Sequence, residues 1–144
     1  MAQIWDKVTK FLAAAGGALV GLLGGWSPLL TALCAFMGLD FVSGVVVAFR
    51  QRSQKTENGG VSSKAGFDGL IRKCGIIAAV FMGAILDRAL DNDTAMFCMM
   101  VTCYFIANEG ISICENLALL GVPIPPVLKR ALEVVQKRSD IGDE

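Results

Sequence analysis

The chain has 144 residues, of which 54% are hydrophobic and 18% charged, with a formal net charge of +0 and no histidine. That length suits one domain, and without a long basic stripe there is nothing to neutralise phosphates, which excludes a nucleic-acid partner. Missing histidines remove the usual general base and the commonest zinc ligand, so neither a histidine-assisted hydrolase nor a zinc enzyme is expected.

The charges fall in clusters. From Phe11 to Phe49 the only ionisable side chains are Asp40 and the thiol of Cys34. A soluble domain scatters Lys and Glu along its amphipathic helices, whereas an uncharged run approaching 20 residues reads as a membrane span. The expectation is an all-α integral membrane protein with four spans, at about 5–25, 28–49, 70–90 and 94–121, forming a membrane domain over 1–126.

The first span begins at Trp5, and its lysines and small residues resemble a signal peptide. Asp6 and Trp5 fit an n-region poorly and further spans follow, so an uncleaved span is expected. Trp5 and Trp26 are 21 residues apart, about 31 Å on a helix, which places one indole at each interface. Ala13, Gly17, Gly21 and Gly25 recur every four residues, a spacing that lets helices approach closely in lipid. This row serves packing within the protomer or association between protomers. The compact turn "GGWSP" makes spans one and two a hairpin. Span two repeats the device with Gly44 and Ala48.

Asp40 falls about 16 Å along span two, near the membrane midplane, where a carboxylate costs about 2.5–3.5 kcal/mol on insertion scales. It must find donors, bind a proton or face water. Ser43 and Gly44 share its face, which suits a helix contact.

A polar loop, 50–69, follows, with Gly59 and Gly60 in its middle as a flexible point and Ser62 or Ser63 as a cap for the third helix. Basic residues set the orientation. Lys7 and Lys10 precede span one. Arg50, Arg52, Lys55, Lys64, Arg72 and Lys73 lie between spans two and three, and Lys129, Arg130, Lys137 and Arg138 follow span four. Twelve of the thirteen basic residues therefore share one side, leaving Arg88 on the other. Under the positive-inside rule both termini and the central loop are cytoplasmic.

Span four carries an anomaly, "FIANEGISICENLALLG". On a helical wheel Asn108, Glu109, Ser112, Glu115 and Asn116 fall within an arc of about 120°. Counting from Thr94, Glu109 is about 22 Å along and intramembrane, whereas Glu115, at about 31 Å, approaches the headgroups. Either the glutamates pair with Arg72 and Lys73 inside the bundle, or the stripe faces a water-filled lumen in an oligomer.

After "GVPIPP", a break that no helix interior tolerates, Val127, Leu128, Ala131, Leu132, Val134 and Val135 recur at helical spacing opposite Lys129, Arg130, Glu133, Gln136 and Lys137. Residues 127–144 thus comprise an amphipathic helix and an acidic tail, "SDIGDE", expected to be disordered. The helix is expected on the inner membrane surface, with packing on the bundle as the alternative. The five cysteines (Cys34, Cys74, Cys98, Cys103 and Cys114) form no CxxC and are read as buried small hydrophobes; no metal site and no cofactor are expected. No catalytic motif is present: there is no HExxH, P-loop or GxSxG.

Two separated motifs together resemble the bacteriophage holin family, which includes the clostridial toxin-secretion holins. The first comprises Asp40, Gly44, Ala48 and Arg50, then Ser62, Ser63, Gly66, Gly69 and Lys73. The second comprises Asn108, Glu109, Ser112, Ile113, Glu115 and Asn116, then Gly121, Pro123 and Pro125. The likeness covers roughly 38–132. It implies a multi-pass protein of the bacterial cytoplasmic membrane that associates with itself and opens a timed hole. An endolysin, or in some relatives a toxin, passes as cargo without stable binding. On that reading the stripe and Asp40 line the hole or form oligomer contacts. Lys64, Arg72 and Lys73 make ion pairs or touch lipid headgroups. A small proton-coupled transporter or channel using Asp40 or Glu109 is the rival reading, and a structural membrane adaptor a second.

Overall fold

The structure, a computed structural model, describes residues 1–23, 25–53 and 60–140. Among the described residues five helices follow one another, α1 (Ala2–Leu22), α2 (Pro28–Phe49), α3 (Ser63–Ala89), α4 (Met96–Leu119) and α5 (Pro126–Asp140), and there is no strand. Three of them, α2, α3 and α4, are long and apolar enough to cross a membrane. α1 carries Asp6, Lys7 and Lys10 in its first three turns, and the Asp6–Lys10 pair is well exposed.

Local chemistry explains most of the boundaries. Ser27 caps α2, its hydroxyl accepting from Leu30 N, with Pro28 pre-set at the first helical position. Ser62 caps α3 by accepting from Ala65 N. That cap starts α3 seven residues before the expected span, so its first two turns project beyond the apolar run. The expected flexible point at Gly59 lies outside the described residues, and so do the last four of the acidic tail. Helix α5 continues through Ser139 and Asp140, which the sequence reading assigned to the tail. α1 ends three residues before Gly25, which sits in the following turn at φ 105° and so takes no part in a helical row.

Helix α4 is central, packing against α2, α3 and α5, whereas α1 touches the rest of the bundle sparsely, through α3. The apolar core lies toward the end carrying the α1–α2 and α3–α4 turns (the turn end). Leu30 and Leu33 of α2 meet Ile76 and Val80 of α3 there, with Leu23, Cys98, Val101 and Phe105 packed around them. At Gly83 the backbones of α3 and α4 approach so closely that a Cβ would lie 3.0 Å from Cys98 Cα. Cys114 is buried as expected of a small hydrophobe, but Cys34 and Cys74 are exposed on the outside of the bundle. Apolar surface of that kind is what a membrane span presents to lipid.

α5 differs from the expected surface helix. It turns back and packs along α4, with Leu132 seated at Gly110, where a Cβ would lie 2.9 Å from Leu132 Cδ2 and 3.0 Å from Phe36 Cε1. The glycine leaves a notch in α4 that a branched aliphatic side chain fills, and periodicity alone does not report such a notch.

Candidate functional site

The opposite end, which carries the α2–α3 and α4–α5 connections (the loop end), is polar. Nine or ten residues in from that end of α2, α3 and α4, about 15 Å, three charged side chains converge. Lys73 of α3 donates to Asp40 Oδ2 of α2 at 2.9 Å and to Glu109 Oε2 of α4. All three are sequestered, the Lys73 and Asp40 side chains at 13% exposure each and Glu109 at 4%. Asn116 of α4, also buried, donates from Nδ2 to Ser43 Oγ at 2.9 Å and to Asp40 Oδ1 at 3.3 Å. The Ser43 hydroxyl in turn donates to the Asp40 carbonyl at 3.0 Å. Gly44 lies beneath Asn116, whose Nδ2 is 3.7 Å from where a Cβ would sit, so the small residue makes room for the amide.

Helical spacing explains the assembly. Glu109 and Asn116 are seven residues apart, two turns along one face of α4, and Asp40, Ser43 and Gly44 share a face of α2. One ammonium bridges two carboxylates. No buried side-chain nitrogen or oxygen among the described residues lacks a partner. A cavity of ≈ 250 Å³ runs from the cluster toward the loop end, with Asp40 and Lys73 at its floor and Gly44, Ala48, Gly66, Gly69 and Arg72 among its walls. Water in such a cavity lowers the cost of holding these charges within apolar helices.

The expected stripe on α4 is thus divided. Glu109 and Asn116 point into the bundle, Ser112 is half-buried, and Asn108 and Glu115 are exposed. The expected pairing is met by Lys73 with Glu109, while Arg72 and Lys64 are exposed. Asp40 enters as the second acceptor for Lys73, a partnership the sequence reading did not anticipate. Ala48, half-buried, and Gly44 lie along the cavity. Nothing described lies within 4 Å of where a Cβ would sit on Gly17, Gly21 or Gly25, and Ala13 is exposed, so the Cβ positions of the α1 row are unfilled, although the Gly21 carbonyl accepts from Arg88.

A second polar centre, at the turn end, was not foreseen. Asp87 of α3 is 5% exposed and accepts from Cys98 N at 2.8 Å, Phe97 N at 3.0 Å and Asn92 Nδ2 at 2.8 Å. Ala95, at the N-cap of α4, has φ 51° and no side chain to cap with, so Asp87 caps α4 from the neighbouring helix. Arg88 Nη2 donates to the carbonyl of Gly21 at 2.7 Å, and Arg52 Nη1 to that of Leu119 at 3.0 Å. Each guanidinium thereby sits at a helix C-terminus, where the macrodipole favours a cation. Among the described residues no group of three or more Cys, Asp and Glu is arranged to hold a metal ion.

Comparison with known proteins places this architecture. The family model described as "Bacteriophage holin family" matches residues 17–137. An uncharacterised 14.9 kDa protein of Clostridium perfringens is 35% identical over 139 residues, covering 96% of this chain and all of its own length. A probable holin of Bacillus phage phi105 is 31% identical over 103 residues, 71% of this chain and 70% of that one. An uncharacterised protein of Listeria monocytogenes is 30% identical over 140 residues, 96% of this chain and 94% of its own. No solved structure matches. With three helices able to span a bilayer and a family match over most of its length, the chain is a membrane protein that belongs to the bacteriophage holin family.

Proposed function

We propose that this chain accumulates in the cytoplasmic membrane of a bacterial host, associates with itself and opens a timed hole. Through the hole an endolysin, or in the toxin-exporting variant of this role a toxin, reaches the far side. The observation that carries the reading is the family match, together with the probable holin of Bacillus phage phi105 among the relatives.

The geometry supports it in three ways. The Asp40–Lys73–Glu109 cluster ties α2, α3 and α4 together in a closed protomer. Asn108 and Glu115, exposed on α4, leave polar groups for an assembled, hydrated state. In the α1 row of Ala13, Gly17 and Gly21, a Cβ on either glycine would meet nothing described in the protomer, so that face is available to neighbouring copies even with the Gly21 carbonyl held by Arg88. In this arrangement α1 is a fourth span, the loop end and the N-terminus are cytoplasmic, α5 starts from that side, and the basic residues Lys64 and Arg72 meet anionic headgroups.

Co-expression with an endolysin tests the hole. Lysis at a defined time with both proteins, and loss of membrane potential with this chain alone, is the expected result; cells that keep their potential and survive would overturn it. Cysteines introduced near Ala89 and near Gln54 test the orientation, with only the first expected to react from outside before opening.

The cavity that reaches Asp40 and Lys73 favours a second reading, a small transporter or channel in which the cluster handles a proton or cation. Passage of a folded protein, as against small ions alone, separates the two.

A further inference from the structure

The docked position of α5 is at odds with a lipid surround. Gly110 lies fourteen residues after Met96 and nine before Leu119, about 21 Å and 14 Å from the two ends of α4. Leu132 sits on it, so the middle of α5 lies level with the interior of a membrane-length helix, whichever way α4 points. Yet Lys129, Arg130, Glu133 and Lys137 are all exposed in this position. Charged side chains at that depth are tolerated only against protein or water, and no described part of the protomer covers them.

The sectors of α5 sharpen the point. A helix lying on a membrane needs two, one for water and one for lipid. Docked α5 has three. Leu132 and Gln136 are half-buried toward α4, Val127, Ala131 and Val134 are exposed and apolar on one flank, and the four charged residues form the other flank. An apolar flank beside a charged flank at membrane depth fits a helix between lipid or a neighbouring copy and a water-filled space.

We propose that docked α5 lines the aqueous hole of the assembled protein, with Lys129, Arg130, Glu133 and Lys137 facing the water and Leu132 at Gly110 holding the helix in place. This rests on the hole-forming reading above and adds which element contributes the charged wall. Three of the four wall residues are cationic, so the wall carries net positive charge.

The test uses the full-length protein reconstituted in planar bilayers of phosphatidylethanolamine and phosphatidylglycerol under a tenfold KCl gradient. The triple variant Lys129→Leu, Arg130→Leu and Lys137→Leu, which makes that wall apolar, is expected to cut conductance at least tenfold with insertion into the bilayer retained. Full conductance in that variant overturns the proposal and leaves the hole reading standing. A wild-type protein that never conducts sinks both. As a check independent of charge, Gly110→Cys and Leu132→Cys are joined by a disulfide in a parent that lacks the five native cysteines and conducts normally. Locked protein should conduct as the reduced protein does. Conductance lost on oxidation and regained with dithiothreitol would mean that α5 leaves its seat on opening, and would overturn the assignment.

Discussion

Asp87 and Glu109 are buried to nearly the same extent, 5% and 3% exposed, on adjacent helices of one bundle, but they are held by different chemistry. Asp87 takes its donors from the backbone amides of Phe97 and Cys98 and the side chain of Asn92, all fixed by the local fold of the α3–α4 turn. Glu109 depends on Lys73, a long side chain from another helix that it shares with Asp40. The first arrangement is made when the turn forms and has no low-cost alternative. The second joins three helices through one ammonium, floors a cavity, and dissolves if that ammonium is hydrated elsewhere. One end of the molecule is therefore suited to staying closed and the other to rearranging, the asymmetry that a two-state membrane protein needs.

The largest effect is expected at Lys73. Lys73→Met takes away the ammonium that Asp40 and Glu109 share, and breaking a buried pair in this way costs about 3–5 kcal/mol. Unfolding in detergent micelles should show that loss, with reduced accumulation in the membrane. Adding Asp40→Asn and Glu109→Gln to the same chain should recover most of it. If the single variant is as stable as wild type, the cluster does not hold the loop end together.

Asp87→Ala comes next, at about 2–3 kcal/mol, because it strands two amide donors at the first turn of α4 as well as the Asn92 amide. Asp87→Asn keeps one acceptor oxygen and should cost about half as much. Hydrogen exchange at Phe97 and Cys98 reads this directly; protection unchanged in Asp87→Ala would dismiss the cap.

Much of this contrast was legible in the sequence, but unevenly. The apolar runs gave α2 and α4 to within a few residues, since lipid-length hydrophobic stretches leave little freedom. The polar stripe on α4 and the anomaly of Asp40 were visible because charge is conspicuous in an apolar run. That they share Lys73 was not, because helical wheels give the direction within one helix and say nothing of which helices abut. Asp87 was hidden differently: it sits in "DRALDND", where acids look like ordinary turn residues, and the need for an external cap arises only because Ala95 occupies the N-cap. The Gly110 notch and the close approach at Gly83 depend on the packing partner and have no local signature. α5 shows the limit most clearly, since its apolar periodicity is equally compatible with a membrane surface and with the side of α4.

Glu109 allows a finer cut. Glu109→Gln leaves Lys73 paired with Asp40 in a neutral pair and keeps an acceptor, so its cost should be about 1 kcal/mol. Glu109→Leu removes the acceptor and should cost about twice that. The two variants should differ in the timing of lysis in the same order. Identical timing would mean that neither the charge nor the hydrogen bond of Glu109 enters opening.

The smallest expected change in stability is the most informative for function. Asn108 and Glu115 share the stripe with Glu109 and Asn116 but are exposed, and among the described residues neither has a partner that a substitution would strand. Asn108→Ala and Glu115→Gln should therefore alter unfolding by less than about 0.5 kcal/mol, as surface positions do. If these side chains meet water or a neighbouring copy only in the assembled state, lysis should nonetheless be delayed or abolished while accumulation in the membrane is normal. An effect on timing without an effect on stability assigns the exposed half of the stripe to the open state. No effect on either confines the function of α4 to its buried half, and the closed cluster around Lys73 would then be the whole of what the polar residues do.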